Sequence, residues 1–139
     1  GQVMGLRADL KTFLGADTTI AGLVGTHIHW LRKPSKDANA HCIAFAFTGS
    51  ENGHDLDGAG GWDDREVIIN CRSTDPLKPE QIADAVRARM KGFSGAVGNT
   101  TALSIMILDE WDDYDEPKDN SDVGQFIIGQ RYFFKRKET

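Results

Sequence analysis

Several residue types are scarce in this sequence, and each scarcity narrows the classes of protein to which it can belong. The chain has only two cysteines in 139 residues, Cys42 and Cys71, and both lie in apolar segments typical of strands. Two buried free thiols are therefore favoured over a disulfide. No apolar run approaches the roughly 20 residues of a membrane-spanning helix, and no signal peptide is recognisable. We expect a protein that is made and folded in a reducing cytoplasm.

Basic residues are also scarce relative to acidic ones. The chain has 16 Lys and Arg against 21 Asp and Glu, which gives a net charge of −5. General nucleic-acid binding is disfavoured, because it usually requires a basic surface. The length fits one domain over residues 1–139, with residues 1–3 interpreted as an addition ahead of a natural start at Met4.

The clearest pattern is a strand followed by an amphipathic helix. Val67–Cys71 is β-branched and apolar, which is typical of a buried strand. The segment Pro79–Lys91 then has an apolar stripe on one side and charges on the other, with its acids before its bases, as the helix dipole favours. Pro79 suits the first turn and Gly92 suits the left-handed position after the last. This unit requires a sheet for the helix to cover.

The other segments supply that sheet. Apolar spacing predicts two helices before it, and alternating apolar residues predict further strands. The predicted helices are Gly5–Leu14 and the segment that carries Ile20, Leu23 and Val24; the predicted strands are His27–Leu31, His41–Thr48, Ala102–Trp111 and Val123–Phe134. The prediction is an α+β domain, an antiparallel sheet of about five strands with helices packed on one face, in the order α-α-β-β-β-α-β-β.

The strand His41–Thr48 is apolar on both faces, large on one and small on the other. Ile43, Phe45 and Phe47 alternate with Cys42, Ala44 and Ala46. An open sheet face is normally polar. The small residues therefore suggest close approach by another element or a second chain.

Candidate metal sites are weak. Asp55, Asp57, Gly60 and Glu66 match positions 1, 3, 6 and 12 of a calcium-binding EF-hand loop, but Ala59 stands at position 5, where a side-chain oxygen is needed, and strands flank the segment. A glycine-rich hairpin tip is the favoured interpretation. His27 and His29 share one face of a strand, yet no zinc-ligand spacing accompanies them. No nucleophile motif or catalytic carboxylate pair is recognisable, so we expect no catalytic residue, no metal and no cofactor.

An acidic run is the most distinctive feature. Eight of the 21 acids lie within the 14 residues from Asp109 to Asp122, opposed only by Lys118. The sequence predicts a loop from Asp112 to Asp122, either simply solvated or forming a surface that repels phosphate or binds a basic partner. Trp111 and Tyr114 favour an interface, and Trp62 is a further candidate. The candidate interface or lumen residues are Asp109, Glu110, Trp111, Asp112, Asp113, Tyr114, Asp115, Glu116, Trp62, Asp55 and Asp57.

The order of these patterns resembles a known family, the tail completion or tail terminator proteins of long-tailed bacteriophages and prophages. The resemblance extends over nearly the whole chain and consists of weak signatures in a joint order rather than a catalytic motif. The segments that carry it are Leu6–Leu14, Ile20–Gly25 with His27-Ile28, Val67–Cys71, Ala83–Val86 before Gly92–Gly95, Leu108–Glu110, Tyr114–Pro117 and Gln130–Phe134.

This resemblance implies a structural virion protein with no active site. Proteins of this family form a ring, commonly of six subunits, at the head-proximal end of the tail tube. The implied partners are further copies of the chain in a homohexamer, the tail tube protein and the head connector protein, with DNA passing through without specific binding. The alternatives from the residues alone are a small adaptor that binds a basic protein partner, or a metal-binding domain.

Overall fold

The computed structural model describes residues 3–30, 41–48, 62–97, 100–116 and 124–137. They form three helices: α1 (Val3–Gly15), α2 (Thr18–Val24) and α3 (Lys78–Met90). They also form six strands: β1 (Ile28–Trp30), β2 (His41–Thr48), β3 (Trp62–Ser73), β4 (Gly95–Val97), β5 (Thr100–Asp115) and β6 (Gln125–Lys137). The predicted α+β class and element order are confirmed, with β4 as an additional short strand in a passage that the sequence presented as irregular.

All six strands belong to one sheet, in the spatial order β1-β2-β3-β6-β5-β4. Neighbouring strands run antiparallel except β1 and β2, which pair in parallel from Ile28 with Ile43 to Trp30 with Phe45. The sheet is therefore mixed, whereas a purely antiparallel one was predicted. A three-residue strand has too few side chains for a pattern that could predict its direction. The direction of β1 depends instead on the position of the end of α2, which precedes it in the chain.

The three helices cover one face of this sheet, where α3 packs on β3, β6 and β5. The largest side chains beneath them, Tyr132, Phe45 and Phe134, are fully buried. Burial of this kind contributes roughly 1.5–3 kcal/mol for each large apolar side chain. The core thus lies between the helices and one side of the central strands, as the sequence predicted.

Local chemistry explains where the helices begin and end. Asp17 begins α2, because its carboxylate accepts hydrogen bonds from the N–H groups of Thr19 and Ile20 at 2.9 and 3.0 Å. Gly92 follows α3 with φ of 78°, a left-handed conformation that favours glycine. Its N–H donates to the carbonyl of Ile105 at 2.9 Å, which joins the end of α3 to β5.

Two arginines attach α1 to its neighbours. Arg89 on α3 lies 3.8 Å from the ring centre of Phe13 and donates from Nε to the Phe13 carbonyl at 3.1 Å. Arg7 lies 4.1 Å from the ring centre of Trp30. Such cation–π contacts orient a helix as well as adding to its packing.

The two faces of β2 differ in size, as predicted. Ile43 and Phe45 belong to the core beneath the helices. Cys42 and Ala44 lie on the opposite face but are only 0% and 2% exposed within the single chain. These two residues are therefore covered within the single chain, in agreement with close approach by another element, and they offer almost no surface to a second subunit.

Candidate interaction surface at the end of the β5–β6 hairpin

The first half of the acidic run is a strand, not the loop that was predicted from Asp112 onward. Residues Asp109 to Asp115 lie in β5 and pair with β6, from Asp109 opposite Arg131 to Asp115 opposite Gln125. This pairing satisfies the backbone groups of the acidic segment that face β6, and β6 supplies the apolar side chains opposite it. The charge density of this segment predicts a loop, because like charges along an isolated strand repel each other. In the structure, pairing with β6 holds the acidic segment extended.

Strand pairing divides the acidic run between the two faces of the sheet. Register shifts between Ala102 and Ser104 and between Ile107 and Asp109 change the alternation of β5. After the second shift, Glu110 lies on the helix-covered face, as its hydrogen bond with Arg87 of α3 shows. Successive strand residues point to opposite sides. Asp112 and Tyr114 therefore share the face of Glu110; Asp109, Trp111, Asp113 and Asp115 lie on the other face.

A polar network connects the acidic end of β5 to the core. Arg87 of α3 donates to Asp84 at 2.8 Å and to Glu110. Gln130 of β6 donates from Nε2 to the same Glu110 at 2.9 Å and to the Ala83 carbonyl at 3.1 Å. The Tyr132 hydroxyl donates to Oε1 of Gln130 at 2.9 Å. Because Gln130 is fully buried, its position and that of Glu110 are fixed together.

Burial and hydrogen bonding set the ionisation of this network. Burial, with Cys71 nearby, raises the pKa of the Tyr132 hydroxyl far above its usual range. Burial likewise raises the pKa of the Cys71 thiol. The hydrogen bonds from Arg87 to Asp84 and to Glu110 raise the pKa of its guanidinium. These raised pKa values keep Tyr132 and Cys71 protonated and Arg87 charged at neutral pH.

An open cleft lies beside this network, between α3 and β5. Its volume is about 360 Å³. Its lining holds four carboxylates and one guanidinium, so the cleft is strongly acidic. The lining residues are Glu80, Ala83, Asp84, Arg87, Glu110, Trp111, Asp112 and Ile128. The chemistry of this cleft suits a basic side chain.

Aromatic residues line the same end of the hairpin. Tyr114 and Phe126 contact each other with ring centres 4.9 Å apart, and their exposed fractions are 44% and 36%. A Cβ added to Gly124 would lie 2.6 Å from Cζ of Tyr114, so the ring requires glycine at that position. Trp111 covers Gly129 in the same way, since an added Cβ there would lie 2.6 Å from its Nε1. Exposed, well-supported aromatics are typical of interfaces.

Asp115, the last residue of β5, is tied across the sheet to β3. Arg72 donates to Asp115 at 2.6 Å and to the Gln125 side chain at 2.9 Å. This pair partly neutralises the end of the acidic run. It leaves Asp112, Asp113 and Glu116 as exposed acids at this end.

Of the remaining predicted site residues, only Trp62 lies in the described part of the chain, and it is distant from this surface. Trp62 is the first residue of β3, at the end of that strand far from Arg72. Asp55 and Asp57, and with them the calcium-loop pattern, lie outside the described residues. Of that pattern only Glu66 is described; it lies 3.9 Å from Arg131, as an ion pair on the sheet.

The histidines show no zinc geometry within the described ranges. His27 and His29 have ring centres 6.1 Å apart, and His41 Nδ1 bonds the Ser73 hydroxyl at 2.9 Å. No group of three or more His, Cys, Asp or Glu side chains in the described part of the chain is arranged to hold a metal ion. Nor is any helix there long and apolar enough to cross a membrane.

Sequence reasoning missed Gln130 and the α3 side of the surface. Glu80, Asp84 and Arg87 formed the solvent-facing stripe of the predicted helix, and their spacing could not show that β5 lies beside it. For Gln130 the available signal was a lone amide in an otherwise apolar strand, which indicates a buried polar group with partners.

No protein-family model matches this sequence, and no curated protein matches it. Its fold is similar to that of a chain in the solved structure "Virion of native gene transfer agent (GTA) particle". The likeness covers 96% of both chains at 16% identity, with a TM-score of 0.67. A second solved chain aligns over the same share of both sequences at 12% identity, with a TM-score of 0.49, which does not establish a common fold.

Proposed function

We infer that this chain is a structural protein of a phage-like virion, and that it acts as a tail completion or tail terminator protein. The observation that carries the inference is the fold, which matches a chain of a gene transfer agent virion over 96% of both chains. The order of sequence patterns from Leu6 to Phe134 supports the same role. No catalytic step is part of this proposal.

In this role the chain forms a closed ring, a homohexamer, that caps the head-proximal end of the tail tube. Its partners are the tail tube protein on one side and the head connector protein on the other, and its location is the virion. A ring needs a heterologous interface that closes on itself. Met106 and Leu108, which are 49% and 47% exposed on β5, are apolar enough to contribute to such an interface.

The acidic end of the hairpin, Asp109 to Glu116, is the proposed contact or lumen surface. DNA passing through the ring carries dense negative charge, so carboxylates facing it would prevent phosphates from binding. The same carboxylates would instead attract a basic partner if they lie at a contact with the tube or connector. Both arrangements use the exposed Asp112 and Asp113.

Assembly is the first test. The purified chain should form particles of six times its 15.3 kDa mass, alone or on tail tube protein, when measured by light scattering. Negative-stain images of these particles should show rings. Tails that end at the normal length and join heads in the absence of this chain would contradict the proposal.

Charge reversal tests the acidic surface. Asp112→Lys with Asp113→Lys should leave the fold intact and reduce head–tail joining or DNA delivery, because it changes four charge units at two adjacent exposed positions, one on each face of the sheet. Asp9→Lys on α1 is a control at a distant place. Normal joining and normal DNA delivery by the double variant would exclude both the lumen and the contact arrangement.

A small adaptor that binds a basic protein partner is the second candidate function. The acidic cleft between α3 and β5 is the observation that favours it. A stable monomer that binds a basic partner and never assembles on tail tube protein would support the adaptor over the ring.

A further inference from the structure

The outer edge of β5 is largely uncovered by the described residues. On this side β4 pairs with β5 only through Thr100, Thr101 and Ala102. The N–H of Gly92 then donates to the Ile105 carbonyl. From Met106 to Asp115, no described strand pairs with this edge.

Backbone groups at this edge point away from the sheet. The N–H of Glu110 bonds the carboxylate of Asp109 at 2.9 Å, and the N–H of Tyr114 bonds that of Asp113 at 2.8 Å. These amides are therefore not paired with β6. Because directions alternate along a strand, Asp112 between them also presents its N–H and carbonyl outward. Glu110, Asp112 and Tyr114 form a short template for strand pairing.

Carboxylates lie beside this template on both faces, with Arg87 also in the cleft and Arg131 opposite Asp109. On the helix-covered side the cleft holds Glu80, Glu110 and Asp112. On the opposite side lie Asp109 and Asp113. A strand added here would place its alternate side chains toward these two sets of carboxylates. Acidic edge residues repel another copy of the same edge, so they select a partner of opposite charge.

We propose that the edge of β5 from Glu110 to Tyr114 binds an extended basic segment of a partner protein by strand addition. Backbone hydrogen bonds to Glu110, Asp112 and Tyr114 fix the segment, and its lysine or arginine side chains enter the acidic cleft. On binding, backbone carbonyls of the segment replace the Asp109 and Asp113 carboxylates as the hydrogen-bond acceptors of the Glu110 and Tyr114 N–H groups. This inference does not depend on the ring, because it concerns one edge of a single chain.

The test uses a capped ten-residue peptide that alternates lysine with threonine, and the same peptide N-methylated at every central residue. The two have equal charge, but the second lacks the backbone donors that strand addition requires. We expect the first peptide to slow hydrogen exchange at the amides of Glu110, Asp112 and Tyr114, measured by NMR. The N-methylated peptide should not. Equal binding of both peptides would overturn strand addition in favour of simple charge attraction.

A variant tests the charges. Glu80→Gln with Asp112→Asn removes two cleft acids outside the Arg87 network and should weaken binding of the unmodified peptide about 3- to 10-fold. Asp9→Asn with Glu66→Gln removes two charges elsewhere and should leave it unchanged. Equal affinity of the two variants would contradict the proposal. So would protection of the same amides by self-association without peptide, which would assign the edge to a second copy.

Light scattering on the same samples separates this inference from the ring. Ring assembly without peptide binding would support the ring proposal and contradict strand addition. Peptide binding by a protein that forms no rings, either alone or with tail tube protein, would support strand addition and contradict the ring proposal.

Discussion

Arg87 on α3 and Glu110 on β5 form an ion pair that joins the central helix to the acidic end of the hairpin. Their side chains are 31% and 36% exposed, and Glu110 also accepts a hydrogen bond from the buried Gln130. The pair therefore connects the candidate interaction surface with the core. Its strength, and that of the groups beneath it, can be measured.

Breaking this pair should cost little stability by itself. Glu110→Gln is expected to lower the free energy of unfolding by about 0.5–1 kcal/mol, since a partly exposed pair gains little from its charges. Urea denaturation of Glu110→Gln, Arg87→Gln and the double variant measures the coupling. Glu116→Gln, an exposed acid in the same region, is the control. A coupling energy near zero would show that Gln130 alone holds Glu110.

The buried hydroxyl of Tyr132 should matter more than its single bond suggests. Tyr132→Phe leaves Oε1 of Gln130 buried without its donor, so we expect a loss of about 1–3 kcal/mol in unfolding free energy. Tyr114→Phe removes the same atom from an exposed ring and should change stability by less than about 0.5 kcal/mol. Equal effects of the two substitutions in thermal or urea unfolding would show that the Tyr132–Gln130 bond is dispensable.

Alkaline pH should destabilise the fold through Cys71. Burial raises the pKa of its thiol above the ordinary value of 9.0, so the folded state keeps a proton that the unfolded chain releases. The contribution is complete below pH 9 and is lost as pH rises, by about 1.4 kcal/mol at pH 10. The stability of Cys71→Ala should fall less than that of the parent between pH 8 and 10. Parallel curves for the two proteins would contradict this account.

Gly129 should be sensitive to the addition of one methyl group. Gly129→Ala places a Cβ against the Trp111 ring, which must move, at a cost of about 1–3 kcal/mol. A changed tryptophan emission spectrum should accompany the loss. Gly22→Ala in α2 is the matched control, because no atom outside the helix lies within 4 Å. It should stabilise by about 0.5–1 kcal/mol. If Gly129→Ala were neutral, Trp111 would not be held over β6.

The central unit shows how much of the fold local sequence encodes. The helix predicted as Pro79–Lys91 is observed as Lys78–Met90, and the strand His41–Thr48 has its predicted bounds. Both segments have a strong apolar periodicity, over more than one turn in the helix and over several residues in the strand. The pattern within each segment therefore predicts which of its side chains are buried. The boundaries of β3 and β5 were missed, since both strands extend into polar sequence that only pairing with a neighbour holds extended.

The candidate surface shows the opposite case. The acids from Asp109 to Glu116 were identified from charge density, but their partners Arg87, Gln130 and Arg72 come from three other elements. Contacts of this kind join residues 20 to 43 positions apart, which no local pattern records. The two register shifts in β5 also decide which acids lie on which face. A shift of one residue is invisible in an alternating sequence, because it leaves the composition unchanged.

The sequence by itself therefore determined the α+β class, the core-facing residues of the long elements, and a concentration of negative charge before the last strand. Only the tertiary structure decided that the acidic residues form a strand, that its edge is uncovered by the described residues, and that a cleft lies between that strand and α3. The physical reason is that burial follows from side-chain periodicity within one segment, whereas strand pairing and clefts arise between segments distant in the chain.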